Sequence, residues 1–459
     1  MGCSPGMTAI VKTVDSSFNP VDLHRLNPHR YPHLLKSTAQ GRYDILFAFP
    51  GASLVLDADG NLTVPETVTP CGNDFLKTFD GWWKQNQFAS PGDKTLPFSG
   101  GWFVYLGYEL VAQIEPCLQL PAADSLLPTA IATRFATAVI VDHETGITRI
   151  AGEAGESEAV QAIAADINSL PVAADSPATR LKVTSVNEAE PQQYLDAVAR
   201  IHEYIQEGDV FQVNLSRQWD IRLQQAVDTD MLFDHLGVHN PSPFSGLASW
   251  HDTAIISSSP ERLVSVRDGL VETRPIAGTR PRSDSHQADT AYSEELLAHP
   301  KERAEHIMLI DLERNDLGRL CVPGTIEVNE LMVLESYAHV HHIVSNVRGR
   351  LRDNISPGEV IRAVFPGGTI TGCPKVRCME IIAELEQQAR GAYTGSMGYI
   401  NGEGSMDLNI LIRSIVSSGK QLQFRAGAGI VADSDAGAEL DETRAKAKGL
   451  LRAVGLEDT

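Results

Sequence analysis

The feature that most limits the fold of this chain is an irregular succession of helix-like and strand-like segments after position 190. Apolar residues recur at helical spacing from Tyr194 to Ile205, Gly208 provides a stop, and Val210 to Trp219 then alternates between apolar and polar residues. An Asp268-Gly269 pair between two apolar runs predicts a β-hairpin. This irregular order favours an α+β fold with a mainly antiparallel sheet over a doubly wound parallel one.

Composition narrows the class of function. The chain has 459 residues, of which 42% are hydrophobic, and its formal net charge is -21. The charges are scattered without a basic tract, so nucleic acid and anionic membrane surfaces are poor partners. An anionic substrate would need a locally positive pocket or a metal ion. The sequence contains no apolar run of roughly 18 residues, no signal-peptide core and no cysteine framework, which predicts a cytoplasmic protein.

A change in composition suggests the domain organisation. The segment from Leu170 to Gln193 is rich in Pro, Ala and Ser and is typical of a connector. We therefore divide the chain into an N-terminal portion, residues 1–185, and a C-terminal portion, residues 186–459. The N-terminal portion has strand-like runs but no cluster of catalytic residue types.

Glycine turns before a helix mark one candidate site. Residues Phe365 to Ile382 read FPGGTITGCPKVRCMEII, with two glycine-containing turns followed by an amphipathic helix. Glycines let backbone amides approach an anion, and a helix N-terminus adds positive potential. The segment is therefore expected to bind an anionic small molecule.

Two acidic pairs on predicted helices form a second candidate site. Glu302 and Glu305 share a face of a helix that begins at Pro300, and Glu439 and Glu442 share a face of a helix that Ser434 can cap. Together, two such pairs would suit Mg²⁺, which takes oxygen ligands. Either pair alone is more typical of a solvated helix face.

These motifs resemble those of the chorismate-utilising enzymes. The similarity is strong from Gln192 to the C-terminus and weak before it, through LPFSGGWFVYLGYEL at Leu96 to Leu110. It implies large antiparallel sheets in a sandwich-like core flanked by helices, as in anthranilate synthase component I. It also implies chorismate as substrate and Mg²⁺ as cofactor.

The resemblance assigns roles residue by residue. Glu261 in SSSPERL corresponds to the acid that protonates the departing C4 hydroxyl. Tyr393 and Arg413 correspond to ligands of the enolpyruvyl carboxylate, and Glu305 and Glu442 to inner metal ligands. The complete set comprises catalytic positions Glu261, Gln212, His342 and Ala277; substrate-binding positions Gly278, Thr279, Thr369, Tyr393, Arg413, Ala428, Gly429 and Lys446; and metal-binding positions Glu302, Glu305, Glu439 and Glu442.

Gln212 indicates the nucleophile. By this resemblance, water-using members of the family have Lys at the position of Gln212. Lysine can deprotonate water, whereas a neutral Gln cannot. Ammonia is therefore the expected nucleophile, and a separate glutamine amidotransferase subunit is the expected partner that supplies it.

The motifs divide between two ammonia-using branches. FQVNLS, VHHIVS and FPGGTITGCPK resemble aminodeoxychorismate synthase component I, whereas RPIAGTRPR, with Ala277, resembles anthranilate synthase component I. In the first branch that position is usually a Lys nucleophile, which alanine cannot replace. The balance favours aminodeoxychorismate synthase, with anthranilate synthase as the alternative and a catalytically silent binding member as a third possibility.

A further segment resembles a tryptophan-binding element of both branches. It comprises NPSPF at Asn240 to Phe244 and RYD at Arg42 to Asp44. The Leu-Leu-Glu-Ser element of the feedback-regulated enzymes is expected to be missing, so a structural turn is the simpler interpretation and tryptophan a possible ligand.

Overall fold

Antiparallel strands account for most of the architecture. The structure, a computed structural model, describes residues 10–14, 18–38, 41–88, 95–122, 127–171, 181–282, 285–336 and 340–456. The strands within these residues are β1 Ile10–Val14, β2 His33–Lys36, β3 Tyr43–Leu56, β4 Leu62–Thr63, β5 Gly101–Leu106, β6 Ala130–Asp142, β7 Ile147–Gly152, β8 Val183–Glu188, β9 Gln212–Leu223, β10 Phe244–Trp250, β11 Thr253–Ser259, β12 Arg262–Arg267, β13 Leu270–Thr273, β14 Ile276–Pro281, β15 Glu327–Ser336, β16 Val340–Arg350, β17 Gly372–Cys373, β18 Ser396–Asn401, β19 Met406–Asn409, β20 Ser414–Ser418 and β21 Gln421–Ile430.

Helices lie between and around these strands. They are α1 Pro20–Leu26, α2 Phe75–Gln85, α3 Val111–Ile114, α4 Ser157–Ser169, α5 Pro191–Glu207, α6 Thr229–His239, α7 His286–Ala298, α8 Pro300–Gly318, α9 Pro357–Val364, α10 Lys375–Glu386 and α11 Ala436–Ala453, with a short 3₁₀ turn at Tyr108–Leu110. The α+β prediction is confirmed.

The strands form one hydrogen-bonded network that forks at β6. All of its pairings are antiparallel, and β6 pairs with β3 along one edge and with β5 and β7 on the other. One branch continues from β3 through β2, β10, β11, β20 and β21 to β9 and β8. The other continues from β5 through β18, β19, β12 and β13 to β16, which also pairs with β14 and β15.

A shared core packs the branches against one another. Phe103 of β5 and Met397 of β18 lie in the same buried cluster as Ala248 of β10 and Ile255 of β11. Side chains from strands that are not neighbours in the sheet thus meet in one layer, which is the arrangement of a sandwich.

Several local predictions are confirmed. The expected helix and its glycine stop correspond to α5 and to Gly208, whose φ of 83° is the left-handed conformation typical of a helix C-terminus. The Asp268-Gly269 pair joins β12 to β13, with φ values of 50° and 73°. Val213 and Leu215 of β9 are buried in an apolar cluster, as the alternation predicts.

The cap of α11 was wrongly predicted. Asp435, not Ser434, is the N-cap, and its Oδ1 accepts a 2.9 Å hydrogen bond from the Ala438 amide. Ser434 Oγ instead accepts a 3.1 Å bond from the Val431 amide, in the turn that precedes the helix. A carboxylate competes well for this position because it also interacts with the helix dipole.

The proposed connector is only partly a loop. Residues 172–180 lie outside the described residues, but β8 follows and pairs with β9, so the boundary between 185 and 186 falls within a strand. Pairs β2–β10 and β5–β18 also cross from the N-terminal to the C-terminal portion. The division into two portions stays a prediction.

Candidate active site

A cavity of about 700 Å³ lies where strands of both branches meet α8 and α11. Most of the residues that the sequence analysis singled out line it, namely Gln212, Glu261, Ala277, Gly278, Glu302, Glu305, His342, Thr369, Tyr393, Arg413, Gly429, Glu439, Glu442 and Lys446. Ala428 does not, because it is packed in an apolar cluster behind the wall. The side chain of Thr279 lies outside the described residues, although its backbone pairs with that of His342.

Glu261 is the buried acid of the cavity. It lies between β11 and β12, where its backbone carbonyl accepts a 3.0 Å bond from the Ile410 amide. Burial raises the pKa of its carboxyl to about 7, against the opposing effects of the Thr369 hydroxyl and the Lys446 charge. Near neutral pH this carboxyl can therefore hold or release a proton, as a general acid must.

Arg413 and Tyr393 both line the cavity. Arg413 forms no ion pair with any residue that the structure describes, and its backbone φ is 52°, a strained value for a non-glycine residue. Burial lowers the pKa of its guanidinium, but arginine stays protonated in proteins. Burial also raises the pKa of the Tyr393 hydroxyl to about 12, so this group is a protonated donor at neutral pH. A guanidinium and a phenol together suit a carboxylate.

The four predicted metal ligands face the same cavity from α8 and α11 but have other partners. Glu442 contacts Lys446 Nζ at 2.6 Å, Glu302 contacts Arg280 at 3.3 Å, and Glu305 Oε1 accepts a 3.1 Å bond from Gln212 Nε2. Among the described residues, no three His, Cys, Asp or Glu side chains converge closely enough to hold a metal ion. The donor set, all carboxylate oxygens, is nevertheless the kind that Mg²⁺ takes.

Strand β9 contributes two amides to the wall. Gln212 and Asn214 are 3% and 8% exposed, and both line the cavity. Gln212 Oε1 and Asn214 Oδ1 have no hydrogen-bond partner among the described residues. Gly429 leaves room for the Gln212 side chain, since a Cβ at position 429 would come within 2.4 Å of Gln212 Nε2.

His342 and Ala277 fill adjacent positions of the wall. Burial lowers the pKa of His342 to about 4, so its imidazole is neutral at physiological pH. Ala277 pairs with Ile343 across β14 and β16 and brings no nucleophile. In the part of the chain that the structure describes, Lys446 of α11 is the lysine that lines the cavity.

Sequence reasoning missed a buried charge network behind the wall. Glu386 accepts hydrogen bonds from Arg390 at 2.6 Å and from Arg425 at 2.8 Å, and Ser216 donates to it at 2.9 Å. Arg425 lines the cavity. Strand alternation in β21 places Arg425 on the same face as Gly427 and Gly429, and this pattern could have indicated its position in the wall.

The glycine turns do not form the expected anion cradle. From Phe365 to Ile382, only Thr369 and Ile370 line the cavity. Gly368 instead lies against α8, where a Cβ would come within 2.3 Å of Leu312. Lys375 at the start of α10 is bound to Asp316 at 2.5 Å. Close packing, not ligand approach, explains these glycines.

A second cavity of about 350 Å³ joins the two segments of the predicted tryptophan element. It is lined by Arg42 and Tyr43 from one segment and by Pro243 and Phe244 from the other. Leu35, Lys36 and Ser37 also line it, within Leu34–Ser37, which reads LLKS and differs at one position from Leu-Leu-Glu-Ser. The complete Leu-Leu-Glu-Ser element is absent from the sequence, and Leu34–Ser37, with Lys36 in place of the glutamate, is the segment that resembles it.

Comparison with known proteins identifies the family. Residues 32–452 match the model of the chorismate binding enzymes. The chain belongs to this family. It is 43% identical over 363 residues to an anthranilate synthase component I-like protein of Synechocystis, covering 78% of this chain and 73% of that protein. It is 38% identical over 445 residues to aminodeoxychorismate synthase component 1 of Bacillus subtilis, covering 93% and 92% of the two chains.

Solved structures agree with this membership of the chorismate-binding family. Anthranilate synthase component I from Streptococcus pneumoniae superposes with a TM-score of 0.78 at 31% identity, covering 90% of this chain and 92% of that one. Relatives under both names thus match the chorismate-binding enzyme described here over most of its length. Within the described residues, no helix is long and apolar enough to cross a membrane.

Proposed function

We propose that the protein is aminodeoxychorismate synthase component I, which converts chorismate and ammonia to 4-amino-4-deoxychorismate for p-aminobenzoate and folate biosynthesis. The observation that carries this proposal is the cavity itself. It combines the buried acid Glu261 with Arg413, which has no ion-pair partner among the described residues. It also contains the amide of Gln212, at the position where the family resemblance implies Lys in water-using members. Asn214 and Thr369, from two of the motifs that favour this branch, both line it.

The proposed reaction converts one chorismate and one ammonia into one aminodeoxychorismate and one water. Arg413 and Tyr393 bind the enolpyruvyl carboxylate and fix the ring. Glu261 gives its proton to the C4 hydroxyl, which leaves as water as the bond from nitrogen to C4 forms. Its pKa of about 7 leaves much of the carboxyl protonated at neutral pH, and its burial excludes solvent from the proton transfer.

Mg²⁺ is part of the proposal. Glu302, Glu305, Glu439 and Glu442 would hold the ion, which when bound supplies positive charge for the ring carboxylate. Lys446 and the backbone at Gly429 line the same part of the cavity and would contribute to binding that carboxylate. A glutamine amidotransferase subunit is the proposed source of ammonia, since curated relatives are named as component 1 of their enzymes.

Ala277 favours a second candidate, anthranilate synthase component I. Ala277 lines the cavity at the position where the resemblance to aminodeoxychorismate synthases implies a Lys nucleophile. Without that amine, ammonia must enter C4 directly or attack C2, and attack at C2 followed by elimination gives anthranilate, pyruvate and water.

Product analysis distinguishes the two candidates. The protein is incubated with chorismate, Mg²⁺ and ammonium chloride at alkaline pH, where free ammonia replaces the partner subunit. We expect 4-amino-4-deoxychorismate, converted to p-aminobenzoate only after a lyase is added. Fluorescent anthranilate with free pyruvate in the absence of lyase would support anthranilate synthase instead, and lack of chorismate binding by calorimetry would support a catalytically silent member.

Tryptophan binding in the second cavity is a separate proposal. The cavity contains aromatic and apolar side chains, Tyr43, Phe244 and Met397, beside polar groups such as Ser37. Titration with tryptophan by calorimetry tests it, and the absence of heat at millimolar ligand would count against it.

A further inference from the structure

Arg390 is a cation buried in the connection between α10 and β18. Its side chain is 1% exposed, and its Nε and Nη2 donate to the two oxygens of Glu386 at 3.1 and 2.6 Å. The other acceptors are the Asn214 carbonyl at 2.7 Å, the Ile370 carbonyl at 3.1 Å and the Thr394 hydroxyl at 3.4 Å. All five N–H groups of the guanidinium are thus bonded, and because the group is planar and rigid, it fixes the relative positions of its acceptors.

The contacts of this guanidinium reach two functional parts of the cavity wall. Ile370 lines the cavity and directly follows Thr369, whose hydroxyl donates to Glu261. The ring of Tyr393, which also lines the cavity, has its centre 5.5 Å from Arg390 Cζ. One rigid group therefore joins the segment that carries the hydrogen-bond donor of the general acid to a proposed ligand of the enolpyruvyl carboxylate.

We propose that Arg390 is a positioning residue, which holds Thr369 and the general acid at a fixed distance from Tyr393 and the bound carboxylate. Proton transfer to the C4 hydroxyl requires that Glu261 and the substrate ring be aligned, and a displacement of about 1 Å can lower a rate by about 10²-fold. The inference rests on the proposed function only in taking chorismate as substrate. It holds for amination at C4 or at C2, since the C4 hydroxyl leaves in both reactions.

Arg390→Lys tests the need for the planar group. Lysine keeps the positive charge beside Glu386, but its three N–H groups extend from one nitrogen and cannot satisfy five acceptors. We expect kcat, measured with saturating chorismate, Mg²⁺ and ammonium chloride, to fall about 10- to 100-fold. The Kd for chorismate, measured by calorimetry, should change by a much smaller factor, because the side chains assigned to its carboxylates are all retained.

The pH dependence of kcat separates positioning from a general loss of stability. When Thr369 moves away from Glu261, the pKa of that carboxyl rises, since a donor that favours its charged form is weakened. The alkaline limb should therefore move to higher pH in Arg390→Lys, and the double variant with Thr369→Val should move it no further than Thr369→Val alone. The other titratable groups that act on Glu261, Lys446 of α11 and Glu313 of α8, are unchanged in these variants.

Arg134→Lys is a matched control in the N-terminal portion. Arg134 also donates to two backbone carbonyls, those of Gly101 at 2.9 Å and Phe135 at 2.6 Å. It pairs with Glu153, and its Cζ lies 4.9 Å from the centre of the Trp102 ring. These partners lie outside the active-site cavity, so the control loses the same kinds of contact but should leave kcat and its pH dependence unchanged.

Thr394→Val decides the question if Arg390→Lys does not fold. Valine has the shape of threonine but no hydroxyl, so one N–H of Arg390 loses its acceptor while the other four bonds remain. The fall in kcat should be smaller than in Arg390→Lys, and the alkaline limb should move in the same direction. Circular dichroism and urea unfolding establish that each variant is folded.

Other outcomes overturn the inference. They are a normal kcat and an unmoved limb in the folded variant, an equal loss of kcat in Arg134→Lys, and a rise in the Kd for chorismate as large as the loss of kcat with the limb in place. Product identity is read in the same assays. Anthranilate as main product would refute the proposed function, whereas the role of Arg390 would stand if kcat and the limb change as expected.

Discussion

Thr369 Oγ1 donates a 2.8 Å hydrogen bond to Glu261 Oε1 in the wall of the cavity. The donor belongs to the glycine turn at Phe365 to Ile382 and the acceptor to the connection between β11 and β12, so one bond links the two most distinctive segments of the sequence. Because a hydroxyl donor favours the ionised carboxylate, this bond moderates the rise that burial imposes on the pKa of Glu261.

Removing that donor should shift the pH dependence of turnover. In Thr369→Val the pKa of Glu261 rises above its value of about 7, since the group that favoured the charged form is gone. The acid is active when protonated, so the alkaline limb of the kcat profile should move to higher pH. Thr371→Val, which removes a hydroxyl bonded only to backbone carbonyls, is the control and should leave the limb in place. A shift to lower pH in Thr369→Val would contradict the assignment.

Glu261→Gln should lower the rate of the chemical step by about 10²-fold or more, the usual contribution of a general acid. Chorismate should still bind, because the carboxyl is not assigned to either carboxylate of the substrate. Single-turnover kinetics measures the step and calorimetry the affinity. A large loss of affinity with near-normal turnover would assign Glu261 a structural role.

Glu442→Gln should abolish Mg²⁺-dependent turnover without unfolding the protein. Glu442 is half exposed on α11, so its loss costs little stability, but it removes one of the carboxylates that face the cavity. Asp441→Asn is a matched control, because Asp441 is the adjacent residue and its side chain is 78% exposed. Calorimetric titration with Mg²⁺ and activity with excess chelator are the measurements, and full activity in chelator would reject the metal site.

Lys375→Met should destabilise the fold by about 3 to 5 kcal/mol, because it leaves Asp316 buried without its cation. Asp316 lies on α8, as does Asp311, whose exposed pair with Arg314 offers a comparison. Arg314→Met should cost less than about 1 kcal/mol. Urea unfolding of the two variants gives the difference, and equal losses would contradict the importance of burial.

The sequence predicted the elements of the site better than their contacts. Periodicity and turn residues located α5, β9 and the hairpin at Asp268-Gly269 because these signals are local. The forked sheet could not be predicted, since pairs such as β5–β18 join residues nearly 300 positions apart and leave no local pattern.

The missed features have a common physical cause. Glycine serves both ligand approach and close packing, and only the neighbour at Gly368, Leu312, tells which applies. A charged residue likewise does not reveal its partner. Glu386 and Arg390 are only four positions apart, but Arg425 lies on β21, and only the fold brings it to Glu386.

Strand β9 assigns its alternate residues to two different tasks. Val213 and Leu215 belong to the apolar core, whereas Gln212 and Asn214 line the cavity and Ser216 bonds the charge network. Inserting or deleting one residue there would exchange the two faces, turning amides into the core and aliphatic groups towards the substrate. Substitutions on one face leave the other intact. During evolution, β9 can therefore accept substitutions, but not an insertion or deletion of a single residue.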